Sequence, residues 1–312
     1  MNQERGAVDW RPVAFFYAIA FGGAVLVALL IWTLRQWGGG VGAALGLVLT
    51  AVLYMPLPMV AGLITERIFV RRYLLGQEWR ALRSSFWRHY GRSALVTVAI
   101  TAAILALGFA VAWLAGTMAV PGAGHLVTTD AEFRDQVGRV SPGVDLNVLP
   151  PLAVLVPVTL VQGVLAGLTI NGLFAFGEEY GWRGVLDRLL RPLGRVRACL
   201  LTGVLWGLWH APIIVLGHNY GAQWQWGIPV MVTWTVPFSF LLTWAKDRAG
   251  TVLAPAMLHG AFNGVAGLFT LVVVGGSVLI ALPVGLLMAM TLTLLAILVW
   301  HLPAHGEVTA NP

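Results

Sequence analysis

Residues 93–118 read SALVTVAITAAILALGFAVAWLAGTM, without one charged side chain, and Arg92 stands directly before them. An apolar run of about 18 or more residues is long enough to cross the hydrocarbon of a bilayer as a helix. The run also lacks the 3.6-residue apolar stripe of a helix half-buried in water. Outward from it, comparable stretches lie at roughly 13–34, 41–64, 148–176, 198–216, 227–244, 251–275 and 278–301. The expectation is an all-α polytopic membrane protein, a bundle of about eight transmembrane helices. With no tandem repeat, low-complexity tract or soluble segment, 1–312 reads as a single integral membrane domain.

Composition agrees, since 58% of residues are hydrophobic and 10% are charged. The mean hydropathy of +0.82 lies above what a water-soluble fold of this size needs. The first apolar run is too long for a secretory signal and is flanked by Glu4 and Asp9, so it reads as a retained span. The single Cys199 allows no internal disulfide and argues against a cysteine-based metal site.

Arginine sets the expected orientation, because short cytoplasmic connections collect Lys and Arg. Segment 65–92 carries Arg67, Arg71, Arg72, Arg80, Arg83, Arg88 and Arg92. Segment 177–197 carries Arg183, Arg188, Arg191, Arg195 and Arg197, and Lys246 and Arg248 follow the sixth span. Eight spans put all three on one side. The other side holds 119–147, where Asp130, Glu132, Asp135 and Asp145 outnumber Arg134 and Arg139, and the uncharged 217–226. Both termini are therefore expected in the cytoplasm. The net charge of +6 does not point to nucleic acid, because the basic residues sit beside spans and suit an anionic lipid surface. Within 65–92, Trp79, Phe86 and Trp87 alternate with arginines, as in a helix lying in the cytoplasmic headgroup layer.

Function has to be argued from the polar residues tolerated inside the membrane, which are costly there and usually face the bundle interior. In Phe176-Gly177-Glu178-Glu179-Tyr180-Gly181-Trp182-Arg183, helical spacing puts Glu179 and Arg183 on one face and Glu178 about 100° away. Arg183 can then neutralise Glu179 and leave Glu178 to project into a cavity as a general base; a helix-end salt bridge beside a solvated Glu is the bland alternative. In Trp206-Gly207-Leu208-Trp209-His210-Ala211-Pro212, Trp206 lies on the side of His210, and Pro212 should distort the helix there. Gly203 and Gly207 open this helix to a close neighbour. In His259-Gly260-Ala261-Phe262-Asn263-Gly264, the two polar side chains are one turn apart, and Gly260 and Gly264 again make room for a neighbour. An imidazole and a carboxamide can donate to a developing oxyanion. Either pair could equally serve as an interhelical hydrogen bond.

The combination of Glu-Glu-x-x-x-Arg, aromatic-x-x-x-His and His-x-x-x-Asn on successive segments resembles the CPBP family, also called Abi. It contains the type II CAAX prenyl endopeptidases and related bacteriocin-processing and immunity proteins. The likeness covers roughly 150–270 as a CAAX-peptidase-like catalytic core. The resemblance implies an eight-helix intramembrane endopeptidase with its site opening toward the cytoplasm. It further implies that Glu178 and His210 activate water and that His259 and Asn263 stabilise the oxyanion. Glu179 and Arg183 would be supporting or substrate-positioning residues. Trp206 stands where the motif commonly has Phe, which bears on pocket shape.

Rival signatures are missing, with no His-Glu-x-x-His, no Gly-x-Ser-x-Gly and no paired intramembrane aspartates. Family members are often labelled metalloproteases, and Glu178, His210 and His259 are the three ligands that Zn²⁺ would take here. Metal-independent chemistry is preferred, with no cofactor, because compact ligand spacing is missing. Other classes stay open: a noncatalytic, immunity-type relative that binds a membrane partner, a proton-coupled transporter, or more remotely a bis-histidine haem protein using His210 and His259. The expected partners are the bilayer and a peptide or protein substrate, membrane-anchored or lipidated in the CAAX case, and no nucleic acid. A single Lys among the basic residues hints at a GC-rich prokaryote and a plasma-membrane location.

Overall fold

The computed structural model describes residues 7–71 and 73–302, so Arg72, Glu4 and both extreme termini lie outside the described residues. The chain is helical almost throughout. It runs through α1 (Trp10–Leu49), α2 (Leu57–Thr65), α3 (Leu74–Ser84) and α4 (Phe86–Thr117), then β1 (His125–Leu126) and α5 (Asp130–Val140). α6 (Leu152–Leu168), α7 (Ile170–Glu179), α8 (Asp187–Leu190), α9 (Arg195–Trp209) and α10 (Ala211–Val215) follow. α11 (Trp224–Ala249), α12 (Leu253–Val272), β2 (Val273–Val274) and α13 (Leu286–Trp300) complete it.

Among the described residues, six helical stretches are long and apolar enough to span: Trp10–Trp37, Thr50–Val70, Phe86–Thr117, Arg195–Val215, Gly221–Ala249 and Leu253–Val272. The expected span at 148–176 is not straight. It breaks at Thr169 (φ −127°, ψ −102°) into α6 and α7, which are bent by 50° and count together as a seventh crossing. The expected last span, 278–301, is shorter than anticipated, because turns around Pro283 and Gly285 delay α13 until Leu286. Large apolar side chains such as Leu95 (70% exposed) and Leu298 (68%) point outward, which a bilayer accommodates and water would penalise.

Tight backbone approach builds the centre. A side chain at Gly203 or Gly207 would run into the backbone of α11 at Val236 and Val232, and one at Gly260 into the α7 backbone at Asn171 and Gly172. These glycines let α9 seat on α11, and α12 on α6 and α7, at the close range that drives association in lipid. α12 is enclosed by these neighbours, with Leu258, Val265, Leu268 and Phe269 fully buried.

The two ends of the bundle differ. At the arginine-bearing end, buried Glu66 accepts from the Tyr180 hydroxyl (2.6 Å) and the Leu74 amide (2.9 Å), drawing α3 onto the bundle. There Lys246 bonds Asp187 (2.7 Å) and Arg195 bonds Asp247 (2.7 Å). At the opposite end, 119–148 folds into a cap. β1 pairs antiparallel with β2, His125 opposite Val274, and α5 is N-capped by Thr129, whose hydroxyl accepts from the Glu132 amide (3.2 Å). Gln136 Nε2 donates to the Thr270 carbonyl at 2.9 Å and fixes the cap to α12.

Candidate active site

Three local features aim the polar side chains inward. α7 carries Glu178 and Glu179 at its C-terminal end and widens into a π-helical turn, Tyr180–Leu186, whose residues are all buried. α9 stops at Trp209, so His210 sits at the junction with α10, where Pro212 interrupts the helix as its spacing requires. His259 and Asn263 lie one turn apart on α12.

Glu178, His210, His259 and Asn263 all line one cavity of about 620 Å³. Glu178, His210 and His259 are buried at its floor, while Asn263 is exposed within it. Glu179 and Arg183 form the expected pair, Nη1 to Oε1 at 3.1 Å, with both side chains wholly buried. The same Glu179 oxygen lies 2.9 Å from His259 Nδ1. An ionised carboxylate can only accept, so Nδ1 of His259 carries the hydrogen by assignment from this network. His210 Nδ1 lies 2.9 Å from the Trp206 carbonyl. A carbonyl also only accepts, which leaves the Nε2 lone pair of neutral His210 free.

Trp206 is the hub of the site, and its contribution could not be read from helical spacing. Its indole Nε1 donates to Glu178 Oε2 at 2.9 Å. Arg183 sits over its ring at 4.3 Å, and the His259 ring meets it edge-on at 5.3 Å. Spacing placed Trp206 beside His210 and said nothing of a donor to a carboxylate 28 residues earlier. Tyr54 and His218 are further lining residues with no strong sequence signal. The Tyr54 hydroxyl donates to the Trp209 carbonyl at 2.6 Å and braces the end of α9. His218, in the connection after α10, is pushed down to about 4 by burial and by the nearby Arg35 guanidinium.

Among the described residues, no three His, Cys, Asp or Glu side chains are grouped so as to hold a metal ion. Glu178, His210 and His259, the expected Zn²⁺ ligands, share a cavity without forming such a set, and one oxygen of Glu178 already holds the Trp206 indole.

The cavity is also lined from the capped end by Gln136, Val140, Asn219, Ser277 and Val278, and among the described residues no Arg or Lys side chain lines it. At the arginine-bearing end the buried turn Tyr180–Leu186 packs against α2 and α8.

The fold is that of a polytopic α-helical membrane protein, and the comparisons say what it is similar to. Residues 151–265 match the family model described as type II CAAX prenyl endopeptidase Rce1-like. A CAAX prenyl protease 2 from Methanococcus maripaludis is 24% identical over 145 residues, 36% of this chain and 53% of that protein. The chain thus spans about half the length of the curated relative it matches. Both findings bear out the CPBP resemblance of the three motifs.

Proposed function

We propose that the chain is an intramembrane endopeptidase that hydrolyses a peptide bond at the floor of this cavity. The observation that carries the reading is the convergence of Glu178, His210, His259 and Asn263, from three different helices, on one space. In this reading a water lies between Glu178 and His210; the free Nε2 of His210 accepts a hydrogen bond that orients it, the Glu178 carboxylate takes its proton as it attacks the carbonyl, and Glu178 then passes that proton to the leaving amine. His259, doubly protonated, gives one N–H to Glu179 and the other to the developing oxyanion, and the Asn263 carboxamide supplies a second donor. Arg183 neutralises Glu179 and holds Trp206, and Trp206 aims Glu178. No acyl-enzyme forms, and no step is routed through a metal. The substrate would be a peptide or protein at the membrane, lipid-modified if it follows the prenylated class in the relative's name.

The test compares polypeptide termini in membrane and secreted fractions of a deletion strain carrying the wild-type chain, Glu178→Gln or His210→Ala. Both variants should insert normally and lose the same set of cleavage products. Wild-type product levels with either variant would remove the assigned roles. Loss of the products together with unchanged binding of the uncut polypeptide would exclude a purely partner-binding relative.

A further inference from the structure

α3 joins two crossings, one ending at Val70 and the next beginning at Phe86, so it lies beside one layer of lipid headgroups. Its two faces differ. Leu74 is buried and Leu75, Glu78 and Leu82 are half-buried, while Gly76, Trp79, Arg80 and Arg83 are exposed, Trp79 to 66%. Arg71 before the helix is exposed too, as are Trp87 (80%), Arg88 and Arg92 after it. The single carboxylate in 71–92, Glu78, stands on the inner face. Among the described residues none of these arginines pairs with an acid. A groove of about 460 Å³ runs along Tyr73, Gly76, Gln77 and Arg80.

The inner face grips the two segments that carry the candidate site. In the turn that follows Glu178 and Glu179, Leu74 fills the space a side chain at Gly184 would need. The Leu75 amide donates to the Tyr180 hydroxyl (3.2 Å), and Arg188 donates to the Gln77 carbonyl oxygen (2.8 Å). At the other segment, Glu78 Oε2 accepts from the Thr251 hydroxyl (2.7 Å) and the Val252 amide (3.3 Å). A carboxylate there meets an amide that the start of α12 leaves without an intrahelical partner, and it suits the positive end of the helix dipole. α12 is the helix of His259 and Asn263.

Exposed guanidinium groups beside indole rings fit a leaflet of anionic phospholipid, with the cations on phosphate and the rings at the boundary between headgroup and acyl chain. We infer that the outer face of α3 and the start of α4 form a docking surface for anionic phospholipid. Lipid bound there holds α3 down on the turn after Glu179 and on the start of α12. The surface itself needs no peptidase chemistry, and only its effect on turnover rests on the reading above.

Binding can be read on the full chain in neutral detergent as a rise in Tm with added lipid. Phosphatidylglycerol should raise Tm and phosphatidylcholine should not. The triple variant Arg80→Gln/Arg83→Gln/Arg88→Gln should keep the parent's Tm without lipid, since all three side chains are exposed. It should bind phosphatidylglycerol more weakly by roughly fivefold for each arginine replaced. Equal gains from phosphatidylcholine or inorganic phosphate, or a triple variant that binds as the parent does, would overturn the surface. Hydrogen exchange reads the coupling. Phosphatidylglycerol should slow exchange in the first turn of α12, and Glu78→Ala should abolish that slowing while α3 stays protected. Exchange in α12 that ignores the lipid in the parent would overturn the coupling, as would equal turnover in bilayers with and without phosphatidylglycerol. Lipid binding without any Glu178-dependent cleavage would defeat the peptidase reading and leave the surface standing.

Discussion

The hydrogen bond from Trp206 to Glu178 shows what one atom contributes at such a site. A buried carboxylate that loses a donor keeps its desolvation cost, about 1–3 kcal/mol for an unmet partner. Trp206→Phe keeps a ring beneath Arg183 and beside His259 while removing the N–H. On the proposed mechanism turnover should fall roughly tenfold or more with little change in KM, since the loss would fall on the group assigned the proton and not on substrate contacts. Unchanged turnover would mean the indole is only packing. Arg183 is a different case, because its partner Glu179 is wholly buried. Arg183→Ala strands that charge and should cost about 3–5 kcal/mol of stability. Arg139→Ala, at an exposed pair, should cost at most about 1 kcal/mol. Thermal unfolding in detergent compares the two. The pairing of Glu179 with Arg183 and the separate aim of Glu178 were legible from a 100° step around a helix. The bond from Glu179 to His259 was not, since it joins residues 80 positions apart and local periodicity carries no such information.

At the scale of elements, small residues spaced four apart were sound guides, and helix ends were poor ones. Gly203, Gly207 and Gly260 do meet neighbouring backbones, so Gly207→Leu should push α9 from α11 and shift His210 out of register. The readout is a lowered Tm together with lost activity; a variant as stable as the parent would show that the helices can separate without harm. The break at Thr169 escaped notice because it falls at a residue that is neither Pro nor Gly, whereas Pro157 sits inside α6 without ending it. The cap at 119–148 was read as a connection because α5 is short and polar. Its order comes from a partner on α12, 134 positions along the chain, and from the local cap at Thr129.

For the whole molecule, membrane residence, the helical class and the convergence of three motifs all follow from composition and spacing. The closing of the arginine-bearing end does not, because it rests on contacts between distant segments, such as Tyr180 with Glu66. One group lining the cavity makes the assembly sensitive to acid. His218 is held near 4 in the folded chain against an ordinary 6.5, so between those values the unfolded chain binds more protons. Stability therefore rises with pH across that window and is lost as the pH falls from 6.5 toward 4. Unfolding temperatures in detergent should show this slope, and His218→Asn should flatten it; an equal slope in the variant would assign the effect elsewhere.

The ladder between His125–Leu126 and Val273–Val274 joins the cap directly to the helix that bears His259 and Asn263. Lifting the cap off α12 would mean tearing main-chain bonds and the Gln136 tether, a harder task than turning a few rotamers. On the peptidase reading proposed above, a folded domain would then be refused, and only locally unravelled polypeptide would be cut.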